Sequence, residues 1–184
     1  FSPPIGSRYL SGDMPRCFED NTFDIGFAFD SDGDRLIVID ESGRMASEEC
    51  TLPLAVWQRL SYGAGCVATN ISTSMMVDGM VADTFTTSTV IRSPVGESNV
   101  VRLLLNSRCV VGGEGNGGVI EPRIGLTRDG LVAMSLVLGL LGSTNRRISE
   151  LIDALPHLVM IKKQLPLRDV PASELLERVK DRYN

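Results

Sequence analysis

The sequence is poor in the residues that mark several classes of protein. It has one histidine and 5% aromatic residues in 184, and its four cysteines lie far apart, without the paired spacing of a zinc site. The net charge of −5 includes no basic block, which argues against nucleic acid as the main partner. The longest apolar run, residues 131–141, is too short to cross a bilayer, so we expect no membrane partner.

What is present indicates a folded domain. Apolar residues make up 43% of the chain, which is enough for a sizeable core. The scattered cysteines are typical of buried free thiols in a reducing compartment, and we therefore predict a cytoplasmic protein. The chain begins at Phe1 without methionine and stops at Asn184 directly after a predicted helix over 172–183. We expect a fragment of a longer polypeptide.

Apolar segments of two kinds alternate along the chain. Strands are predicted at residues 24–29, 35–40, 66–69, 89–92 and 109–111, and helices at 47–60, 74–83, 98–105, 128–141 and 148–155. The alternation predicts an α/β fold with a mixed, mainly parallel sheet flanked by helices. Residues 47–155 form one complete predicted domain, and residues 1–46 the C-terminal part of a preceding domain. Residues 156–184 are expected to connect, through a strand over 157–167, to a domain that is missing.

Three carboxylates follow the first strand at alternate positions. Asp30, Asp32 and Asp34 repel one another unless a cation lies among them, and hard oxygen ligands favour Mg²⁺. Gly33 permits the tight turn between them. Arg35 closes the loop and is predicted to reach a phosphate bound at the metal.

Four other interpretations of this loop stay open. A calcium-binding EF-hand would need glycine where Arg35 stands, and helices where the flanking segments are strand-like. A phosphatase of the haloacid dehalogenase type would use Asp30 as nucleophile and Asp32 as acid, but it prefers threonine or valine in place of Asp34. The loop could also be a solvated acidic turn or part of a non-catalytic metal-binding module.

A second notable run, residues 112–118, contains five glycines. Only Glu114 and Asn116 carry side chains on this predicted bare loop. A carboxylate and an amide two residues apart can accept from and donate to vicinal hydroxyls, as sugar recognition requires. A flexible surface loop without a ligand is the alternative.

Together the two runs resemble the α-D-phosphohexomutase superfamily of phosphoglucomutases, phosphomannomutases and phosphoglucosamine mutases. The segment Asp30-Ser31-Asp32-Gly33-Asp34-Arg35 is similar to the family's metal loop, and Gly113-Glu114-Gly115-Asn116-Gly117-Gly118 is similar to its sugar-binding loop. Residues 92–97, with Gly96 and Glu97, resemble the active-site loop of the family's third domain. Arg128-Asp129-Gly130, before the long helix, also fits the family.

The resemblance implies the whole arrangement of a phosphohexomutase. The chain would comprise the end of domain 2, all of domain 3 and the connection toward domain 4 of the same polypeptide. The family's phosphoserine and phosphate loop belong to its first and fourth domains and are not matched here, so the fragment alone is expected to be inactive. The full enzyme would interconvert the 1-phosphate and 6-phosphate of mannose, glucose or glucosamine.

The resemblance also assigns roles to residues. Asp30, Asp32 and Asp34 would bind Mg²⁺, and Arg35 would be catalytic. Substrate-binding residues would be Gly96, Glu97, Glu114 and Asn116, and the partner would be a phosphorylated sugar.

Overall fold

The acidic loop connects the two strands of an antiparallel hairpin. The computed structural model describes residues 23–159, 161 and 171–183. Strand β1 (Gly26–Phe29) pairs with β2 (Leu36–Ile39), with Phe29 opposite Leu36. All four side chains of β2 are buried: Leu36 and Val38 pack into the large core, whereas Ile37 and Ile39 pack with Ala28 of β1. The sequence predicted one strand on each side of this loop, at residues 24–29 and 35–40, and both strands are present.

A second sheet has four strands in the order β4-β3-β5-β6. Its strands are β3 (Cys66–Asn70), β4 (Thr89–Ser93), β5 (Val111–Glu114) and β6 (Gly118–Ile120). Strands β4, β3 and β5 are parallel, and β6 is antiparallel to β5. The predicted mixed, mainly parallel sheet is therefore confirmed, although β6 and the late position of β5 were not expected.

Helices accompany these strands. The described residues contain α1 (Thr51–Ser61), α2 (Met76–Thr84), α3 (Glu97–Asn106), α4 (Gly130–Thr144), α5 (Ile148–Asp153) and α6 (Ala172–Tyr183). A 3₁₀ turn precedes α1, and the Ser47 hydroxyl caps it by accepting from the Glu49 backbone N–H. No helix in the described part of the chain is long and apolar enough to cross a membrane.

The sheet lies between two apolar layers. Because successive side chains on a strand point to opposite faces, Val67 faces the core that α1, α2 and α4 share, whereas Ala68 faces α3. Leu36 and Val38 of β2 join the first of these cores. The predicted domain boundary near residue 46 stays a prediction.

The order of the strands creates an opening at one edge of the sheet. Helix α2 connects β3 to β4 on one face, and α3 returns from β4 to β5 on the other face. Two crossovers on opposite faces leave a crevice outside the carboxyl ends of the strands between them. Asn70 and Glu114 end β3 and β5, so their side chains lie at this crevice.

The turn after β2 is held by one buried carboxylate. Asp40 Oδ1 accepts from the backbone N–H of Ser42 at 3.0 Å and of Arg44 at 2.9 Å. Burial alone would raise the pKa of Asp40, but the hydrogen bonds from Ser42 and Arg44 outweigh it and hold this pKa below its ordinary value. The Asp40 carboxylate therefore anchors the turn over residues 40–44.

Two expectations need correction. Cys66 and Cys109 form a disulfide with their Cα atoms 4.3 Å apart, so the prediction of free thiols is wrong for this pair. The disulfide depends on tertiary structure, because β3 and β5 are neighbouring strands and bring the two cysteines together. Cys50 is free and buried, as expected. Residues 157–159 are not a strand, and most of the strand predicted over 157–167 lies outside the described residues.

Candidate metal and sugar site

The loop between β1 and β2 brings its three aspartates together. One carboxylate oxygen from each of Asp30, Asp32 and Asp34 lies within 4.8 Å of the others. Gly33 makes the turn with a φ of +75°, and its N–H donates to the Asp30 carbonyl at 3.2 Å. Three clustered carboxylate oxygens are the donor set that Mg²⁺ prefers, so these residues fit a divalent cation.

Arg35 folds back onto the loop. Its Nε donates to Asp30 Oδ2 at 2.6 Å, and its backbone N–H donates to Asp30 Oδ1 at 3.1 Å. Burial would raise the pKa of Asp30, but the hydrogen bonds from Arg35 outweigh this and lower it. The Arg35 guanidinium, which was expected to reach a phosphate, instead holds the carboxylate of Asp30, a predicted metal ligand, and the catalytic role of Arg35 stays a prediction.

Asp34 lies in a different electrostatic environment. Its pKa is raised, first by burial and then by the carboxylates of Asp30 and Asp32, although Arg128 opposes this. A divalent cation would favour the ionised form of Asp34 and reverse the shift. The loop is thus arranged so that an added positive charge relieves the mutual repulsion of its carboxylates.

Glu114 is the last residue of β5 and is buried. Its Oε1 accepts from Asn70 Nδ2 at 2.5 Å, and its Oε2 accepts from Arg128 Nη1 at 2.6 Å. The expectation that Glu114 stands on a bare glycine loop is wrong, because the first part of the glycine run pairs with β3 as a strand. The carboxylate is fixed at the crevice before any ligand arrives.

Asn116 lies in the turn between β5 and β6. Its Oδ1 accepts from the Gly118 N–H at 3.2 Å, and Gly117 has a φ of +92°. The Gly117 carbonyl accepts from the Leu36 N–H at 3.0 Å, so this turn rests on the start of β2. The candidate sugar turn and the candidate metal loop are therefore contiguous.

Gly96 and Glu97 lie at the start of α3. Gly96 precedes the helix with a φ of +121°. Glu97 Oε1 accepts from the Thr127 hydroxyl at 2.8 Å and from the Arg128 N–H at 2.7 Å. The structure therefore brings Glu97 to the segment before α4, at the edge of the same site.

Arg128 connects these parts, and its role was not recognised from the sequence. Its Nη1 contacts Glu114, its Nη2 donates to Asp34, and its Nε lies 3.7 Å from Glu97 Oε2. Burial lowers the pKa of Arg128, but the charges of Asp34, Glu114 and Glu97 outweigh it and raise this pKa. The only sequence signal was its position in the segment before α4.

Asn70 is a second functional candidate that the sequence did not single out. Its Oδ1 accepts from the backbone N–H groups of Ser72 and Thr73, both at 3.0 Å. The Thr73 hydroxyl in turn accepts from the Gly115 N–H at 2.9 Å. Asn70 thus fixes both the turn after β3 and the carboxylate of Glu114.

An open cleft of about 450 Å³ lies beside the acidic loop. Residues that line this cleft include Phe29, Asp32 and Leu131.

Comparison with known proteins gives the family. Residues 51–159 match the model of the phosphoglucomutase/phosphomannomutase alpha/beta/alpha domain III. The chain belongs to the α-D-phosphohexomutase superfamily. A phosphoglucomutase/phosphomannomutase of Thermococcus kodakarensis is 36% identical over 140 residues, which are 76% of this chain and 30% of that protein.

Two further phosphohexomutases are similar to this chain, one in sequence and one in structure. The phosphoglucosamine mutase of Methanocaldococcus jannaschii is 31% identical over 158 residues, or 84% of this chain and 34% of that protein. The crystal structure of a phosphoglucomutase/phosphomannomutase family protein from Burkholderia thailandensis matches with a TM-score of 0.68 and 25% identity, covering 80% of this chain and 32% of that one. The chain spans about a third of the length of these relatives.

The geometry also excludes one of the alternative interpretations of the acidic loop and argues against another. An EF-hand needs flanking helices, and β1 and β2 stand there instead, so that alternative is wrong. In a haloacid dehalogenase-type phosphatase Asp30 would attack phosphorus, but both of its oxygens accept hydrogen bonds from Arg35. Membership of the phosphohexomutase superfamily does not favour this alternative either.

Proposed function

We propose that this chain carries the metal site and the sugar-recognition site of a Mg²⁺-dependent phosphohexomutase. One observation supports this above the others. Arg128 contacts both Asp34 of the acidic loop and Glu114 of β5, so residues of the two separately predicted sites lie side by side, as a shared site would require. The names of the relatives, all phosphohexomutases, support the same reaction class.

Each residue of the site would have a defined task. Asp30, Asp32 and Asp34 would hold Mg²⁺, which when bound would neutralise charge on the transferring phosphoryl group. Arg35 would keep Asp30 oriented as a ligand and add positive charge beside it. Glu114 would accept hydrogen bonds from sugar hydroxyls.

The remaining contacts would set the pose of the sugar. Asn116 would offer its amide to a sugar oxygen, and Gly96 and Glu97 would border the substrate where α3 begins. The substrate would be the 1-phosphate or 6-phosphate of mannose, glucose or glucosamine, and transfer would pass through a phosphoserine supplied by another part of the polypeptide. A cytoplasmic location remains a prediction.

Cation binding by the 184-residue chain tests this proposal directly. Asp32 is the exposed ligand, so Asp32→Asn removes one charge without burying an unpaired group. Even a unit charge about 4 Å from a divalent ion is worth about 2 kcal/mol in water, so loss of a carboxylate ligand should lower the affinity by at least about 30-fold. We expect that loss in Mg²⁺ calorimetry, with no loss of stability because carboxylate repulsion falls.

The matched control is Asp83→Asn. Asp83 is an exposed carboxylate near the end of α2, away from the crevice. It should leave the Mg²⁺ affinity unchanged. If Asp32→Asn binds Mg²⁺ as tightly as the unaltered chain, the acidic loop is not the cation site. Hydrolysis of p-nitrophenyl phosphate by the chain would instead favour the phosphatase alternative.

A further inference from the structure

Arg128 is the one side chain that contacts a predicted cation ligand and two predicted substrate groups in the described part of the chain. Asp34 comes from the β1–β2 loop, Glu114 from β5 and Glu97 from α3. The contact between Arg128 and Asp34 joins residues 94 positions apart. A single guanidinium therefore lies among three carboxylates that the fold brings together from three elements.

The backbone around Arg128 is held on both sides. The Arg128 N–H donates to Glu97 Oε1 at 2.7 Å, and the next residue, Asp129, caps α4 by accepting from the Leu131 N–H at 2.8 Å. The Gly130 N–H donates to the Gly33 carbonyl at 3.0 Å, which ties the start of α4 to the acidic loop. The guanidinium can turn at its end, but the residue cannot leave the site.

The contact with Asp34 has a consequence for cation binding. A divalent ion on the three aspartates would lie within about 5 Å of a guanidinium that is bonded to one of them. Two positive charges at that distance repel, and both are attracted to the same carboxylate. Glu97 and Glu114 offer Arg128 two other carboxylates that it already contacts.

We propose that Arg128 is a positioning residue that acts as a built-in counter-ion of Asp34 and competes with the divalent cation for it. Without the cation, Arg128 neutralises Asp34 and holds the acidic loop against β5. When the cation enters, the guanidinium turns from Asp34 towards Glu114 and Glu97. This inference rests on the cation site of the proposed function, and it adds that the site is tuned by a competing charge.

The sign of the effect distinguishes this role from a purely structural one. Arg128→Gln removes the competing charge and leaves three carboxylates less neutralised, so the divalent cation should bind about tenfold more tightly. Arg128→Lys keeps the charge and should stay within about threefold of the unaltered chain. If Arg128 only held the loop together, Arg128→Gln would bind the cation more weakly.

The measurement is Mn²⁺ binding to the 184-residue chain, followed by the electron paramagnetic resonance signal of free Mn²⁺. Arg59→Gln is the matched control. Arg59 is similarly buried, with 13% of its side chain exposed against 18% for Arg128, and its Nε lies 3.1 Å from Glu121 Oε2. Glu121 follows β6, which runs antiparallel to β5, so this pair lies away from the crevice. Arg59→Gln should not change Mn²⁺ affinity.

A second measurement avoids any loss of folding in the variant. In the unaltered chain, the ¹H–¹⁵N resonance of Arg128 Nε should shift when Mg²⁺ is added, while that of Arg59 should not. Unchanged or weaker Mn²⁺ binding by folded Arg128→Gln, or an Arg128 resonance that ignores Mg²⁺, overturns the inference alone. If the unaltered chain binds no cation, or Asp32→Asn has no effect, the cation site itself fails and this inference fails with it.

Discussion

The buried pair of Glu114 and Arg128 gives the sharpest test of how the site is held together. Its two atoms are 2.6 Å apart, and only 7% of the Glu114 side chain and 18% of the Arg128 side chain are exposed. Glu114→Gln removes the charge and leaves Arg128 with Asp34 and Glu97. Losing one partner of a buried ion pair costs 3–5 kcal/mol, and the two remaining carboxylates reduce this, so we expect a loss of about 2–3 kcal/mol.

A second pair with the same geometry supplies the control. Arg178 and Glu174 on α6 are also 2.6 Å apart, but more than half of each side chain is exposed. Because water screens such a pair, Glu174→Gln should change the free energy of unfolding by no more than about 0.5 kcal/mol. Urea unfolding followed by circular dichroism at neutral pH measures both. Equal losses in the two variants would refute the argument that burial sets the magnitude.

Three further predictions concern two turns, at Gly117 and Asp40, and one helix, at Gly142. Gly117→Ala should cost about 2 kcal/mol, because its φ of +92° disfavours a side chain and the new Cβ would overlap the carbonyl of the first residue of β2. Gly142→Ala on α4 meets nothing within 4 Å and should instead stabilise by up to about 1 kcal/mol, which urea unfolding would show. Because the pKa of Asp40 is lowered, its contribution to stability is present above its unfolded pKa and is lost as the pH falls through the lower folded value. Asp40→Asn should therefore make stability depend less on pH in acid, and an unchanged acid limb would contradict this.

Much of the fold could be predicted from local signals. The hairpin around the acidic loop and the helix over 172–183 both follow from apolar runs bounded by turn formers and caps. These signals act within a few residues of chain. They were sufficient for the class of fold and for most of the elements.

The glycine run was predicted wrongly for a physical reason. Glycine has no side chain to show the alternation that marks a strand, so Gly112 and Gly113 indicated a loop. Tertiary packing decides that these glycines form a strand, since Gly112 lies tightly between β3 and α3. A Cβ on Gly112 would lie 2.8 Å from the Ala68 carbonyl of β3 and 2.9 Å from Leu104 Cδ1 of α3. The same limit applies to the Cys66–Cys109 disulfide, which depends on which strands are neighbours.

The residues of the candidate site also fall into two groups: those that a local sequence motif reveals and those that only the tertiary structure brings to the site. The three aspartates and Glu114 could be found because each lies in a short motif with a chemical reason for its spacing. Arg128 could not, because its partners lie 14 and 94 residues away along the chain. Only the folded structure places the Arg128 guanidinium between the acidic loop and Glu114.

The fixed position of Glu114 changes the argument about how a sugar would be recognised. Glu114 was expected on a bare glycine loop, but it is buried in a strand and bonded to Asn70 and Arg128. A sugar 1-phosphate and a sugar 6-phosphate would present the sugar to such a site in two orientations. A carboxylate has about four acceptor positions, and these two donors occupy two of them. The other two can accept from a pair of vicinal hydroxyls without moving the side chain, at little cost in conformational entropy. Adaptation to a turned sugar would then lie with Asn116, which is half-buried in the turn beyond β5, and not with Glu114.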